Sequence, residues 1–290
     1  MEEELVEKVF MAIEAGDIET ADRYLSEIRM SGDPETEYAV AGIGMEYSLL
    51  SPQQCAEWIE LAAEGGLEEA QYDIGRRYLD GFGVTRSDEK AVFWLSKSAE
   101  QGNCEAEAIV AMMYRRGQGV PKDEDRAFGM LLEVAGCASA EAKYELGRMY
   151  ERGEGTYPDY KEAFRWYYEA AKRKLPEAQT TVGAMYHDGK GTVKDLRKAE
   201  QWFRSAASKG DARAQYRLAM MHVRKQTAEP NITMAVELLR RSAAQGYPGA
   251  REALDRVQKM KASGEIRTVG RCNPDDLGDR PHRSPGRGGG

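Results

Sequence analysis

A 36-residue self-similarity dominates this chain. The segment AQYDIGRRYLDGFGV beginning at Ala70 returns as AEAIVAMMYRRGQGV at Ala106, AKYELGRMYERGEGT at Ala142, AQTTVGAMYHDGKGT at Ala178 and, weakened, AQYRLAMMHVRKQTA at Ala214. Five copies in one register without an insertion mean a chain assembled from one small unit. Such a unit cannot bury its own apolar face and is stable only when stacked on its neighbours. A length of 290 residues would ordinarily suggest two domains, at roughly 100–200 residues each. The fixed period predicts one quasi-linear array instead.

Each column of the repeat has a physical role. Ala70, Ala106, Ala142, Ala178 and Ala214 open an apolar stripe. Ile74, Val110, Leu146, Val182 and Leu218 continue it, and Tyr78, Tyr114, Tyr150, Tyr186 and His222 close it. These intervals share one face of a helix. A small residue at i+5 (Gly75, Ala111, Gly147, Gly183, Ala219) leaves room for a close neighbour. The methionines at i+7 (Met113, Met149, Met185, Met221) fall on the core side and are read as packing. Gly-x-Gly at Gly81/Gly83, Gly117/Gly119, Gly153/Gly155 and Gly189/Gly191 then ends the helix, as expected of residues that accept positive φ.

A second helix starts at the N-cap column Ser51, Ser87, Asp123, Asp159, Asp195 and Asn231. It carries Trp58, Trp94, Met130, Trp166, Trp202 and Leu238, with Ala63, Ala99, Ala135, Ala171, Ala207 and Ala243 five residues on. Knob and small hole imply tight helix-on-helix packing.

The motif A-x-Y-x-L-G-x-x-Y-x-x-G-x-G-V, followed by D-x-x-x-A-x-x-W and A-A-x-x-G, resembles the Sel-one-like repeat (SLR), a relative of the tetratricopeptide repeat, over roughly Asp33 to Gly246. The resemblance implies an all-α, right-handed α-solenoid of helix–turn–helix repeats, with about seven helix pairs and a C-terminal capping helix. In that family the first helices line a concave groove. The last copy departs from the motif at Lys225 and Thr227, and the first has a short, glycine-poor loop from Met45 to Leu50.

The expected organisation is an N-terminal helix pair at 1–32 (Glu2–Ala15 and Ile18–Met30), six repeats at 33–246, a capping helix at 247–262 and a disordered tail at 263–290. The formal net charge is −8, which argues against coating nucleic acid by net attraction. No run of 18 apolar residues exists, so no membrane span is expected. Cys55, Cys104, Cys137 and Cys272 sit at irregular intervals without a CxxC pair. They read as reduced thiols of a cytoplasmic protein. Some relatives carry repeated cysteine pairs that look like disulfide staples, and no such pairs are expected here.

Chemistry finds little support. Ser87 and Lys90 spell S-x-x-K, the serine–lysine pair of a β-lactam or cell-wall hydrolase. Ser87, however, stands in the N-cap column and has no KTG or SDN companion. His187, His222 and His282 lack a ligand partner at i+3 or i+4. Neither metal nor cofactor is called for.

The outward positions of the first helices remain, at i+2, i+6 and i+9. They hold Tyr72, Arg76 and Leu79; Ala108, Met112 and Arg115; Tyr144, Arg148 and Glu151; Thr180, Ala184 and His187; Tyr216, Met220 and Val223. The candidate groove is Tyr72, Arg76, Met112, Arg115, Tyr144, Arg148, His187, Tyr216 and Met220, since tyrosine and arginine are enriched in interface hot spots. The expected function is a non-catalytic, monomeric adaptor that binds a protein or peptide in this groove. The alternative is an inhibitor or immunity-type protein that neutralises a partner enzyme.

Overall fold

The computed structural model describes residues 2–265, so the tail reading from 266 onward, with Cys272 and His282, lies outside the described residues. Among these are fifteen α-helices: α1 Glu2–Glu14, α2 Ile18–Ser31, α3 Pro34–Glu46, α4 Pro52–Glu64, α5 Glu68–Asp80, α6 Asp88–Glu100, α7 Cys104–Arg116, α8 Glu124–Glu133, α9 Ala140–Arg152, α10 Tyr160–Lys172, α11 Pro176–Asp188, α12 Leu196–Ser208, α13 Ala212–Val223, α14 Ile232–Ala244 and α15 Ala250–Ala262. From α1 to α8 and again from α10 to α15, consecutive helices pack on one another. The architecture is an all-α solenoid of helix–turn–helix repeats.

Two compact units are formed. One holds the residues up to Ala142 together with Glu154–Thr156, and the other holds Lys143–Gly153 and the residues from Tyr157 onward. The core of the first gathers Val9, Ile28, Val40, Trp58, Ile59, Ile74 and Leu95. That of the second gathers Tyr167, Val182, Phe203, Leu218, Leu239 and Val257.

The cap column behaves as its chemistry requires. Ser51, Ser87, Asp123, Asp159, Asp195 and Asn231 each accept a backbone N–H of the first helical turn, and Ser51 with Gln54 completes a reciprocal capping box. Met113, Met149, Met185 and Met221 are buried. The small i+5 positions face the residue after the tryptophan column: a side chain at Gly75 would strike Leu95, one at Gly147 Tyr167, and one at Gly183 Phe203. The tryptophan column packs elsewhere, with Trp58, Trp94 and Trp166 buried and Trp202 half-buried.

The second glycine of each Gly-x-Gly meets a backbone. A Cβ at Gly83, Gly119 or Gly155 would overlap the carbonyl oxygen of Pro52, Asp88 or Glu124, and one at Gly191 that of Tyr160. Each of these is the first residue of the preceding repeat's second helix. Where glycine is missing from a turn, the geometry persists: Lys174 has φ 67° and Lys225 φ 55°.

The thiols overturn the reduced-cysteine reading. Cys104 and Cys137 form a disulfide, and Cys55 is free and buried. Cys104 is the first residue of α7, and Cys137 follows a 3-10 turn, Val134–Gly136, that succeeds α8. At 10 residues α8 is the shortest helix of the series. Its Gly129 costs helix propensity. The bond therefore braces the most irregular repeat by tying the start of its first helix to the end of its second. Such a bond removes the thiol argument for a cytoplasmic location. No helix among the described residues is long and apolar enough to cross a membrane.

Candidate interaction surface

The outward positions of the first helices fall into two sets, one in each unit. In the first unit, Tyr72 on α5 is half-buried and receives a hydrogen bond from Arg76 Nη1 at 3.2 Å. Arg76 is exposed and lies 4.0 Å from Asp80. Met112 on α7 is half-buried. Arg115 departs from expectation. Only 8% exposed, it holds Glu154 at 2.6 Å, and so joins α7 to the loop after α9 rather than facing a ligand. Ala108 is buried as well.

The second unit brings its residues into a continuous face. Tyr144 on α9 lies with its ring 5.1 Å from that of Tyr167 and its hydroxyl 3.4 Å from Thr181 on α11. Thr181 Oγ1 in turn accepts from Arg213 Nη2 on α13 at 2.8 Å. His187 at the end of α11 contacts Asp188 at 2.6 Å and Gln226, beyond α13, at 3.2 Å. It is therefore half-buried and tied down on both ring nitrogens, not free as the spacing implied. Arg148 is half-buried against Glu145 at 2.9 Å. Thr180, read as outward, is buried and donates to Asp211 at 3.0 Å.

Tyr216 is half-buried with its ring 5.3 Å from Tyr247, and Met220 and Val223 are half-buried beside it in sequence. The i+2 tyrosines thus pack toward their own or the following element. Interval counting missed Thr181 and Arg217, which lie one residue past a sampled position, and Arg213, which precedes the alanine from which the intervals are counted.

The serine–lysine pair resolves into structural duties. Ser87 caps α6 through the Lys90 N–H at 3.3 Å and contacts Glu89 at 3.1 Å. Lys90 Nζ donates to Tyr78 at 2.8 Å and approaches Glu60 at 3.7 Å. The Tyr78 hydrogen bond holds the ammonium above its usual range, the reverse of what a general base requires. His222 fills the tyrosine column at 2% exposure. Its Nδ1 accepts from the Asn231 N–H at 3.3 Å and meets Thr227 Oγ1 at 3.1 Å. No group of three potential metal ligands exists among the described residues.

Helix pairs repeating every 36 residues, sealed by glycine turns against the preceding pair, define an α-helical repeat protein. The chain belongs to the Sel1 repeat family, which matches residues 40–67, 68–103, 104–133, 140–175, 176–211 and 212–247. Members of that family generally serve as protein-interaction scaffolds.

Among solved structures, the chain resembles c5321, described as a protective antigen present in uropathogenic Escherichia coli strains and displaying an SLR fold. Identity is 25% and the TM-score 0.77, over 91% of this chain and 58% of that one. The chain thus spans less than two thirds of that relative. It also resembles a Sel1 repeat protein from Oxalobacter formigenes, at 22% identity and a TM-score of 0.66, over 82% of this chain and 96% of that one. No curated protein sequence matches the chain.

Proposed function

We infer that this protein is a non-catalytic scaffold that holds a segment of a partner protein against the first-helix face of its second unit. The observation that carries the reading is the ladder from Tyr144 through Thr181 to Arg213, with His187 reaching Gln226. It turns α9, α11 and α13 into one surface. Repeat columns that pack are uniform in chemistry, whereas this surface varies from copy to copy, as a specificity surface on a regular scaffold does. Tyr216 and Met220 supply its apolar contact area, and Arg148 supplies charge at its other end. The disulfide supports an oxidising compartment as the place of work.

A photo-crosslinking amino acid at Met220 tests this reading, with Arg165 on the exposed side of α10 as the control position. Adducts with a cellular protein are expected from Met220 and not from Arg165. Equal labelling at both, or labelling at Arg165 alone, removes the first-helix face as the binding surface.

A further inference from the structure

The charge on this face is concentrated on one helix. From Ala212 to Ala228 the chain carries Arg213, Arg217, Arg224 and Lys225 without one Asp or Glu, in a protein of formal net charge −8. The corresponding stretches of the four preceding copies all contain carboxylates: Glu68 and Asp73, Glu105 and Glu107, Glu141 and Glu145, Glu177 and Asp188. Asp211, just before α13, is already committed to the Ala214 N–H and the Thr180 hydroxyl.

Many arginines elsewhere are ion-paired, for example Arg77 with Asp73, Arg204 with Glu200 and Arg256 with Glu252, although Arg116, Arg126, Arg197 and Arg251 are not. Arg217 and Arg224 are exposed and make no ion pair among the described residues. Arg213 reaches only neutral oxygens, the Thr181 hydroxyl and the Glu177 carbonyl.

Helical spacing puts these groups in line. Positions 213, 217, 220 and 224 are separated by four, three and four residues, so Arg213, Arg217 and Met220 on α13 form one stripe that Arg224, its C-cap residue, continues. Arg217 and Arg224 stand roughly 10 Å apart along the axis, at a rise of about 1.5 Å per residue, with Met220 between them. An extended strand advances about 3.3 Å per residue and presents alternate side chains on one face. Carboxylates at i and i+4 then straddle an apolar side chain at i+2 over about 13 Å, a span that two long arginine side chains match.

We propose that α13 is the docking site for an acidic segment of a partner protein, in which two carboxylates four residues apart seat on Arg217 and Arg224 and the apolar residue between them seats on Met220. Guanidinium forks bind carboxylates bidentately. The acidic remainder of the body repels such a segment from other surfaces, which sets its register. This deepens the reading above, on which it rests, by stating the chemistry of the bound segment.

The test is fluorescence anisotropy on the full chain with a labelled peptide of the form Glu-Ser-Leu-Ser-Glu, flanked by glycines. The expected result is saturable binding that weakens as salt rises. Affinity should fall at least about tenfold in R217E/R224E, a loss characteristic of breaking charge-assisted pairs. It should fall by less than about twofold in the control R165E/R240E, since rim charges far from a site contribute little. Replacing both glutamates of the peptide by glutamine should abolish binding. Circular dichroism confirms that these exposed substitutions leave the fold intact.

Absence of binding to the wild type overturns the proposal. So does equal binding of the glutamine peptide, equal loss in the control, or tighter binding of an oligothymidylate of matching charge, which would make the stripe a general polyanion surface. A segment crosslinked at Met220 that lacks carboxylates removes this proposal and leaves the scaffold reading standing.

Discussion

Alanine at Gly119 and alanine at Gly102 look alike in sequence and differ sharply in the folded protein. Both glycines have positive φ, 70° and 97°. Each substitution therefore incurs the left-handed penalty of about 1–2 kcal/mol for a residue with a Cβ. At Gly102 that is the whole effect, because nothing lies within 4 Å of the added carbon. At Gly119 the Cβ overlaps the carbonyl of Asp88 and comes 2.9 Å from the Glu89 nitrogen, both backbone atoms at the start of α6.

Backbone in a helical first turn cannot swing aside as a side-chain end can, so α6 and the α7–α8 turn must separate. Overpacking of this kind adds about 1–3 kcal/mol, bringing Gly119→Ala to roughly 2–5 kcal/mol in total. With an m-value of about 2 kcal/mol per molar urea, the two midpoints should differ by about 1 M. Urea titration followed by circular dichroism measures this directly. Coincident midpoints for the two variants would refute the argument that the second glycine is demanded by the preceding repeat.

Two further outcomes follow from the same contacts. Reducing Cys104–Cys137 opens a loop spanning 33 residues. The chain-entropy relation then sets a loss of about 4 kcal/mol, seen as a lower melting temperature with reductant and in Cys104→Ser. An intact mass that does not rise by two hydrogens on reduction would mean the bond is absent. Burial holds the His222 imidazole below its usual range. The unfolded chain consequently takes up the proton first, and His222 contributes fully above about pH 6.5 and less as pH falls. Stability between pH 7 and pH 5.5 should drop more steeply in the wild type than in His222→Tyr, which restores the residue of its column. Equal slopes in urea titrations would exclude the imidazole as the source.

Much of this molecule is legible from intervals alone. The N-cap column from Ser51 to Asn231 was readable because capping is local: a side-chain oxygen satisfies an N–H two or three residues away, whatever surrounds it. The methionine column was readable because a helical period assigns it to one face. The surface was less so. Arg76 and Arg115 both fall at intervals counted as outward, i+6 and i+9 of successive copies, yet one is exposed and the other is buried on Glu154, 39 residues on. His187 looked free until Gln226 came within reach.

The repeating chemistry by itself determined helix type, helix ends and the stacking of one unit on the next, because each rests on interactions within a few residues and recurs every 36. Tertiary structure decided three other things. It set the residue after the tryptophan against the small i+5 positions, it paired Cys104 with Cys137 across an irregular spacing, and it left the exposed Arg217 and Arg224 without an ion pair among the described residues. All three depend on which side chains from distant segments arrive at the same point in space. Periodicity states which face a residue occupies and not what meets it there.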